Sequence, residues 1–305
     1  MALRALVLGA AAGGGLPQWN CNASNSRSFW RGTGAMRPAS QSSLAVSVDG
    51  ETWLVVNASP DLRQQIIATP ALHPRDPVRF GLRDSPIAAV LLTNGDIDHV
   101  AGLLTLRERQ AFDLWRTGGI ASVLEANPIF RALDPALVVR RAAPLGETIE
   151  PLPGLAVDLF AVPGKEPLYM EGDVVRTDVE GEQTVGLRLS DGAREMFYIP
   201  GCAALTEGLA ARLRGAPVVL FDGTVFHDDE MLREGVGRKT GRRMGHMAMA
   251  GPDGSLAAFS RLGVGRKIYV HINNTNPVWR PDSPERAEVE AAGWEIAFDG
   301  MEIVP

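Results

Sequence analysis

Residues 87–107 constrain the fold more than any other part of the chain. Residues 87–93 form a short apolar run that predicts one buried strand, and residues 101–107 predict an amphipathic helix. A simple connector between them would use glycine, proline or asparagine. Here four polar side chains at the end of the strand indicate a ligand site instead, and a polar loop with an aspartate helix cap is the alternative. The four residues are Asn94, Asp96, Asp98 and His99.

The composition excludes several classes of protein. Hydrophobic residues make up 45% and charged residues 22% of the 305 residues, which suits a globular protein with a large core. A net charge of −6 argues against a nucleic-acid partner, and no run reaches the ~18 apolar residues that a membrane span needs. Only two cysteines occur, Cys21 and Cys202, too few for a disulfide framework. We therefore expect a reducing compartment and a cytoplasmic protein.

The N-terminus allows two interpretations. Arg4 followed by an apolar run over residues 5–12 is typical of a secretory signal, whereas residues 3–8 also predict a first strand. We favour the strand because Gln18-Trp19-Asn20 continues the sequence without a charged or small-residue break.

Strands and helices are mixed along the chain with no linker between its halves. This pattern predicts an α/β fold in which two sheets pack face to face with helices outside, a four-layer αββα sandwich of one domain, residues 1–305. Residues 163–182 predict a loop near an active-site mouth. Further strands are predicted at residues 42–48, 52–56, 120–124, 155–162, 184–189, 195–199, 218–221 and 267–272, with 294–298 and 301–304 closing a sheet.

Polar residues at three strand ends predict a metal site. Asp98 and His99 follow one strand, Asp222 ends a second, and His271 ends a third. Strand ends at one edge of a sheet converge, so we expect these side chains to meet. Two imidazoles and two carboxylates without a thiolate suit Zn, Fe(II) or Mn and argue against a structural zinc. Each histidine alone would more often be a core residue, and the adjoining carboxylates favour the metal.

Several motifs carry a family resemblance. The segment T-N-G-D-I-D-H-V-A-G-L-L-T-L-R resembles the T-H-x-H-x-D-H-x-x-G-L loop of the metallo-β-lactamase superfamily, and R-R-M-G-H-M-A resembles a glycine-histidine turn of its tRNA-processing branch. Together with G-G-G-L-P-Q-W-N-C, F-D-G-T and V-H-I-N-N-T-N-P, nearly the whole chain resembles the PqqB family of pyrroloquinoline quinone (PQQ) biosynthesis. The resemblance implies a metallo-β-lactamase-like sandwich.

Departures from the superfamily pattern imply one metal rather than two. Asn94 and Asp96 stand where a dinuclear hydrolase has its first two histidines, and no acid stands at residues 198–201, where the bridging aspartate is expected. The second position survives, since Asp98, His99 and His271 match superfamily ligands; Asp222 is added because it ends the adjacent strand. We expect one divalent transition metal, Fe(II) first, with Zn or Mn as alternatives. Hydrolysis by a two-metal clamp needs both ions.

The resemblance implies a role in which a mononuclear iron protein uses O2 to hydroxylate a tyrosine-derived PQQ precursor. A carrier of PQQ or its precursor towards the periplasm is the alternative, and a metal-dependent hydrolase is the second. The sequence leaves the oligomeric state open.

His246 is expected to transfer protons beside the metal, as the histidine of the matching turn does in the superfamily branch. Capping a helix or binding the metal are its alternatives. PQQ and its precursors carry several carboxylates, which guanidinium groups bind well. The basic run of Arg238, Lys239, Arg242 and Arg243 therefore predicts substrate contact, with a solvated loop as the alternative. The other expected substrate contacts are Asn94, Asp96, Asn273 and Asn274.

Cys21 is not expected to hold a zinc knuckle. Some members of the family continue W-N-C-x-C-x-x-C, whereas Ala23 and Ser26 stand at those positions here.

Overall fold

The computed structural model describes residues 2–33, 35–172 and 176–305, within which fourteen strands form two seven-stranded sheets. The strands are β1 (Arg4–Gly9), β2 (Ser43–Ser47), β3 (Trp53–Val56), β4 (Ile87–Leu91), β5 (Phe112–Arg116), β6 (Val138–Ala142), β7 (Thr148–Leu152), β8 (Leu155–Ala161), β9 (Val185–Ser190), β10 (Glu195–Ile199), β11 (Val218–Asp222), β12 (Arg266–Val270), β13 (Trp294–Ile296) and β14 (Glu302–Ile303).

Short helices connect these strands. The α-helices are α1 (Ser24–Trp30), α2 (Leu62–Ala68), α3 (Pro77–Phe80), α4 (Ile97–Val100), α5 (Gly118–Ala126), α6 (Glu207–Leu213), α7 (Glu230–Arg233), α8 (Gly241–Met244), α9 (Ser255–Phe259) and α10 (Pro284–Ala291). Turns of 3-10 helix lie at Pro70–Leu72, Ala101–Arg107, Pro128–Ala132, Leu168–Met170 and Pro277–Trp279. None of the helices in the described ranges combines the length and apolarity needed to cross a bilayer.

Each sheet contains a run of parallel strands. The first sheet has the order β14-β1-β2-β3-β4-β5-β6 and the second the order β13-β12-β11-β10-β9-β8-β7. Strands β3 to β6 are parallel, as are β10 to β13. The carboxyl ends of neighbouring parallel strands lie at the same edge, where ligand sites of open α/β sheets form.

Strand β3 shows how the sequence builds the layers. All four of its residues are buried, and successive side chains point to opposite faces. Leu54 and Val56 join the core between the two sheets, whereas Trp53 and Val55 join a second core beneath α2 and α5. Full burial of one such side chain stabilises the fold by about 1.5–3 kcal/mol. Strand β3 is apolar at every position because both of its faces pack against a core.

Helices also cover the outer face of the second sheet. The Phe259 ring of α9 lies 4.8 Å from Phe221 and 5.0 Å from Trp294, as centroid distances. With α2 and α5 on the first sheet, this arrangement gives four layers. The predicted αββα sandwich is confirmed.

One predicted strand is wrong. Residues 120–124 lie inside α5, where the Thr117 side chain accepts a hydrogen bond from the Ile120 N–H and caps the helix. Ile120, Val123 and Leu124 are its buried residues, and this spacing of three and four residues belongs to one helical face. Strands β5, β6 and β7 were not predicted from the sequence.

Three further details differ from or refine the prediction. The two closing strands belong to different sheets, since β13 pairs with β12 and β14 pairs with β1. Residues 101–107 form a 3-10 helix rather than an α-helix. The first strand is confirmed, because Arg4–Gly9 forms β1 between β14 and β2.

Candidate metal centre

Three strands bring the predicted ligands together at one edge of the sandwich. Asp98 and His99 lie in α4, which follows β4 of the first sheet. Asp222 is the last residue of β11, and His271 directly follows β12; the register of these two strands pairs Asp222 with Val270. The residues therefore meet across the boundary between the two sheets.

Asp98, His99 and His271 form a compact triad. Asp98 Oδ1 lies 3.0 Å from His99 Nδ1, and Asp98 Oδ2 lies 3.1 Å from His271 Nε2. One candidate ligand atom from each residue lies within 4.8 Å of the others, and the two rings are 5.3 Å apart between centroids. Both histidines are buried, and Asp98 is partly buried. Two imidazoles and one carboxylate at this spacing suit a divalent transition metal.

The His99 ring provides a test of that fit. Its Nε2 atom is buried without a hydrogen-bond partner among the described residues, whereas Nδ1 contacts Asp98. Leaving such a buried polar atom unpaired costs about 1–3 kcal/mol. A cation on the free lone pair would remove this cost, so the residues present fit a bound metal ion.

Asp222 is surrounded by donors, unlike an open metal ligand. Its carboxylate accepts four hydrogen bonds at 2.7–3.0 Å, from the backbone N–H groups of Cys202 and Thr224, the Thr224 hydroxyl and the His246 ring. These bonds use its lone-pair positions. Asp222, His246 and His271 also lie within 4.8 Å of one another. The geometry nevertheless favours the other triad for the ion, because Asp222 is already satisfied.

Asp222 orients His246 instead. A carboxylate only accepts hydrogen bonds, so His246 Nδ1, at 2.7 Å from Asp222 Oδ2, carries the proton of this contact. The His246 ring stacks on the His271 ring with centroids 5.1 Å apart. Nε2 of His246 is therefore left as an acceptor on a residue that lines the cavity described below.

Opposite charges set the ionisation of the cluster. Burial raises the pKa of Asp98, but the His99 and His271 rings outweigh it and hold that pKa well below its usual range. Burial likewise raises the pKa of Asp222, and His246 brings it below the ordinary value. For His246, burial lowers the pKa, while Asp222 raises it above the ordinary value. Both carboxylates thus favour the ionised form.

The backbone of His271 has an unusual conformation. Its φ of +55° lies in the left-handed region, which few residues other than glycine adopt. The Thr224 hydroxyl lies 3.0 Å from the His271 carbonyl oxygen, and the Asn276 side chain donates to the Gly223 carbonyl at 3.0 Å. Such strain persists only where neighbouring contacts enforce it, commonly at functional sites. The H-I-N-N-T-N-P segment therefore fixes His271 in place.

A cavity of about 870 Å³ opens over the triad and His246. Its wall contains most of the residues predicted to contact substrate. These are Asn94, Asp96, Arg238, Lys239, Asn273 and Asn274.

The basic run divides between the cavity and the surface. Arg238 and Lys239 line the cavity. Arg242 is exposed and does not belong to the cavity wall among the described residues. Arg243 is also outside the wall, and its guanidinium lies 3.0 Å from Glu171, which holds the pKa of that carboxyl at about 2. The structure thus does not bring Arg242 and Arg243 to the predicted contact.

Sequence reasoning missed several side chains of the wall. Lys165 and Tyr169 come from the loop predicted at the site mouth, and Gln18 comes from the glycine-rich N-terminal segment. The Tyr169 hydroxyl donates to the Gly95 carbonyl at 2.6 Å, so this loop contacts the ligand-bearing turn. Residues 173–175 of the predicted loop lie outside the described residues. Loop composition indicated the position but gave no means to choose side chains.

Known proteins with similar sequences cover almost the entire chain. A family model described as a beta-lactamase superfamily domain matches residues 52–272. Coenzyme PQQ synthesis protein B of Rhizobium meliloti (strain 1021) is 57% identical over 301 residues, covering 99% of this chain and 97% of that protein. The protein of the same name from Methylobacterium sp. (strain 4-46) is 56% identical over 299 residues, covering 98% and 99%.

Solved structures agree with this assignment. The crystal structure of Zn(2+)-bound PqqB from Methylobacterium extorquens matches with a TM-score of 0.96 and 54% identity, covering 99% of this chain and all of that one. A diphosphatase of the PhnP family, 19% identical, shares the fold with a TM-score of 0.68 over 99% of this chain and 97% of its own. The chain therefore belongs to the beta-lactamase superfamily and, within it, to the PqqB family.

Proposed function

We propose that this chain acts in PQQ biosynthesis as a mononuclear metal enzyme that uses O2 to hydroxylate a tyrosine-derived PQQ precursor. The observation that carries the proposal is the Asp98–His99–His271 triad, which contains an unpaired buried His99 nitrogen and lines a large cavity. These three side chains would hold one ion. The names of the relatives support the pathway, and a zinc-bound relative supports a metal at this fold.

Fe(II) is the proposed ion. Two histidines and one carboxylate with open positions suit non-haem iron, and zinc, which fits the same ligands, has no redox chemistry. When bound, iron would supply the reaction with O2 that none of these side chains supplies. In each hydroxylation an aromatic C–H bond becomes C–OH, and the second oxygen atom leaves as water. The balance needs two protons and two electrons from an external reductant of the ascorbate class.

His246 is the proposed acid–base residue. Its Nδ1–H is held by Asp222 at 2.7 Å, which leaves Nε2 free to take the phenolic proton of a substrate in the cavity. The buried Asp222 carboxylate stabilises the imidazolium that forms, as the carboxylate does in other buried His–Asp pairs.

The cavity wall suits a flat aromatic molecule that carries carboxylates. Arg238 and Lys239 place positive charge along it, and Asn273 and Asn274 add amide groups. Leu168, Tyr169 and Met244 supply apolar surface for rings.

Anaerobic loading with one equivalent of Fe(II), followed by exposure to O2, tests the proposal. The probe is a tyrosine-derived PQQ precursor, with L-3,4-dihydroxyphenylalanine as its simplest form and ascorbate as reductant. Incorporation of one atom of ¹⁸O from ¹⁸O2 into the product, measured by mass spectrometry, supports it. PQQ binding that survives removal of metal, with no O2 uptake on any probe, would establish a carrier instead.

Carriage of PQQ or its precursor is the second candidate because the cavity is large and partly cationic whether or not an ion is bound.

The hydrolase alternative has less support. Asn94 Oδ1 accepts the Asp96 N–H at 2.9 Å, and neither of these two side chains is the imidazole that the first site of a dinuclear hydrolase needs.

A further inference from the structure

We infer that Thr224 is a positioning residue whose hydroxyl couples the metal ligand His271 to the Asp222–His246 pair. Thr224 would do so by accepting a hydrogen bond from His271 Nδ1 when that nitrogen carries the ring proton and by donating one to it when it does not. The inference rests on the proposed metal site and concerns a residue outside its ligand set.

The Thr224 hydroxyl lies at the centre of the buried network. Its oxygen is 2.8 Å from His271 Nδ1, 2.7 Å from Asp222 Oδ1 and 3.1 Å from His246 Nδ1. Thr224 itself is buried. The His271 carbonyl oxygen is a fourth neighbour, at 3.0 Å. A hydroxyl group donates one proton only, so it cannot serve all four neighbours as a donor.

With His271 Nε2 bound to an ion, the ring proton must reside on Nδ1. Nδ1–H then donates to the Thr224 oxygen, and the hydroxyl proton is directed to Asp222 Oδ1. His271 Nδ1, the Thr224 hydroxyl and Asp222 Oδ1 each have a hydrogen-bond partner in this arrangement. Metal-bound histidines commonly donate the other ring N–H in this way, which fixes the ring and raises its basicity as a ligand.

With no ion on Nε2, the opposite arrangement becomes available. Nε2–H donates to Asp98 Oδ2, 3.1 Å away, and Nδ1 becomes an acceptor. The Thr224 proton then turns to His271, and Asp222 loses one of its four donors. His246 keeps its shorter bond to Asp222, 2.7 Å against 3.1 Å to Thr224. Occupancy of the metal site is thereby transmitted to the carboxylate that orients His246.

Two substitutions separate the hydroxyl from the shape of the side chain. Thr224→Ser keeps the hydroxyl, whereas Thr224→Val keeps the volume and removes it. Asp222 retains the backbone N–H of residue 224 in both variants, since that donor does not depend on the side chain. The valine variant therefore removes the hydroxyl partner of His271 Nδ1 and of the His271 carbonyl oxygen, whereas the serine variant keeps both.

Zinc affinity measured by competition with a chromophoric chelator tests the inference without any assay of activity. We expect Thr224→Val to bind Zn²⁺ about 10–100-fold more weakly than wild type, the usual effect of losing such a partner. Thr224→Ser should stay within about threefold. Circular dichroism of the metal-free variants checks that both are folded.

Histidine ¹⁵N NMR of the wild type provides a readout that needs no variant. Zinc should move the His271 proton from Nε2 to Nδ1, and the Nδ1–H resonance should exchange slowly with water. A rapidly exchanging Nδ1–H in the zinc form overturns the inference, as does equal zinc affinity of the valine variant and wild type, or a serine variant as weak as valine. A wild-type protein that binds no zinc would contradict the proposed metal site itself.

Discussion

Asp98 makes polar contacts to both sides of the metal centre. One of its oxygens faces His99, which lies beside it in α4, and the other faces His271, which follows β12 of the second sheet. Among the described residues, His246 makes its shorter hydrogen bond to Asp222 and its longer one to Thr224, and none to Asp98. Adjacent histidines with stacked rings are therefore expected to differ in role, one as a ligand and the other in proton transfer.

We expect the loss of His271 to affect metal binding and the loss of His246 to affect turnover. His271→Ala removes one of two nitrogen ligands and should lower metal affinity by at least about 100-fold, since such sites depend on each ligand. His246→Ala should retain the metal and lose turnover by about 10²-fold or more, the scale of a proton-transfer residue. Elemental analysis and single-turnover oxidation of the precursor measure the two effects.

His73→Ala serves as the matched control, because His73 is exposed and contacts the Ile67 carbonyl away from the site. It should change neither quantity. A metal-free His246→Ala protein would identify His246 as a ligand and contradict the acid–base role.

Cys21→Ser is expected to leave folding and metal content unchanged. Cys21 lies in the cavity wall, and its sulfur accepts the Ala23 N–H at 3.4 Å, a contact that a serine hydroxyl can also make. Ala23 and Ser26 supply no further thiolates for zinc. Thermal unfolding and elemental analysis of both proteins measure the effect; a large fall in Tm together with lost zinc would show that Cys21 is a structural ligand.

At the scale of elements, helix α7 is attached to the segment after β12 by a buried acid. Glu230 Oε1 accepts the Thr275 hydroxyl at 2.6 Å, and Oε2 accepts the Phe226 N–H at 2.8 Å. Burial raises the pKa of Glu230 to about 7, even though these hydrogen bonds lower it. The polar segment before His246 is thus held by a carboxyl group that stays largely protonated up to about pH 7.

Glu230→Gln should remove a pH dependence of stability. The folded state holds the Glu230 proton up to about pH 7, whereas the unfolded chain releases it near 4.5. This contribution to the free energy of unfolding is therefore complete below pH 4.5 and is lost as pH rises through 7, by up to about 3 kcal/mol. Urea unfolding from pH 5 to 9 should show the variant gaining stability relative to wild type.

Glu288→Gln, at an exposed position of α10, is the control and should follow the wild-type curve. Parallel curves for Glu230→Gln and wild type would mean that Glu230 is ionised throughout this range.

The local sequence pattern predicted strands and helices well where only one interpretation of an apolar run was possible. Strand β10 has the predicted bounds, 195–199, because its run ends at a proline-glycine pair. Residues 120–124 suited a strand or a buried helix equally by periodicity, and the Thr117 cap decided for the helix. Strand β6 is exposed over most of its length and carries Arg140 and Arg141, so it lacks the apolar alternation that identifies strands.

At the scale of the whole molecule, convergence of strand ends was predictable and the division of roles was not. The sequence places Asp98, His99, Asp222 and His271 at strand ends, and parallel neighbours bring such ends together. The hydrogen bonds that occupy the Asp222 carboxylate come in part from Cys202, 20 residues away, and from His246, 24 residues away. Such contacts follow from three-dimensional packing and leave no local signal. The same holds for the pairing of Arg243 with Glu171.

Because Asp98 and His99 follow a strand of the first sheet and His271 follows a strand of the second, one bound ion would connect the two halves of the sandwich. We expect one equivalent of a divalent transition metal per chain and not two, since Asn94 and Asp96 replace the imidazoles that a first site needs. An ion that binds only the folded state stabilises it by about 2.7 kcal/mol at a free concentration 100 times the Kd. Calorimetry with and without Zn²⁺ should therefore show a higher Tm for the whole molecule, and elemental analysis should give a ratio of one. Asn94→Ala should retain both properties and His271→Ala should lose both. Two tightly held ions per chain, both lost in Asn94→Ala, would show that the first metal position is intact.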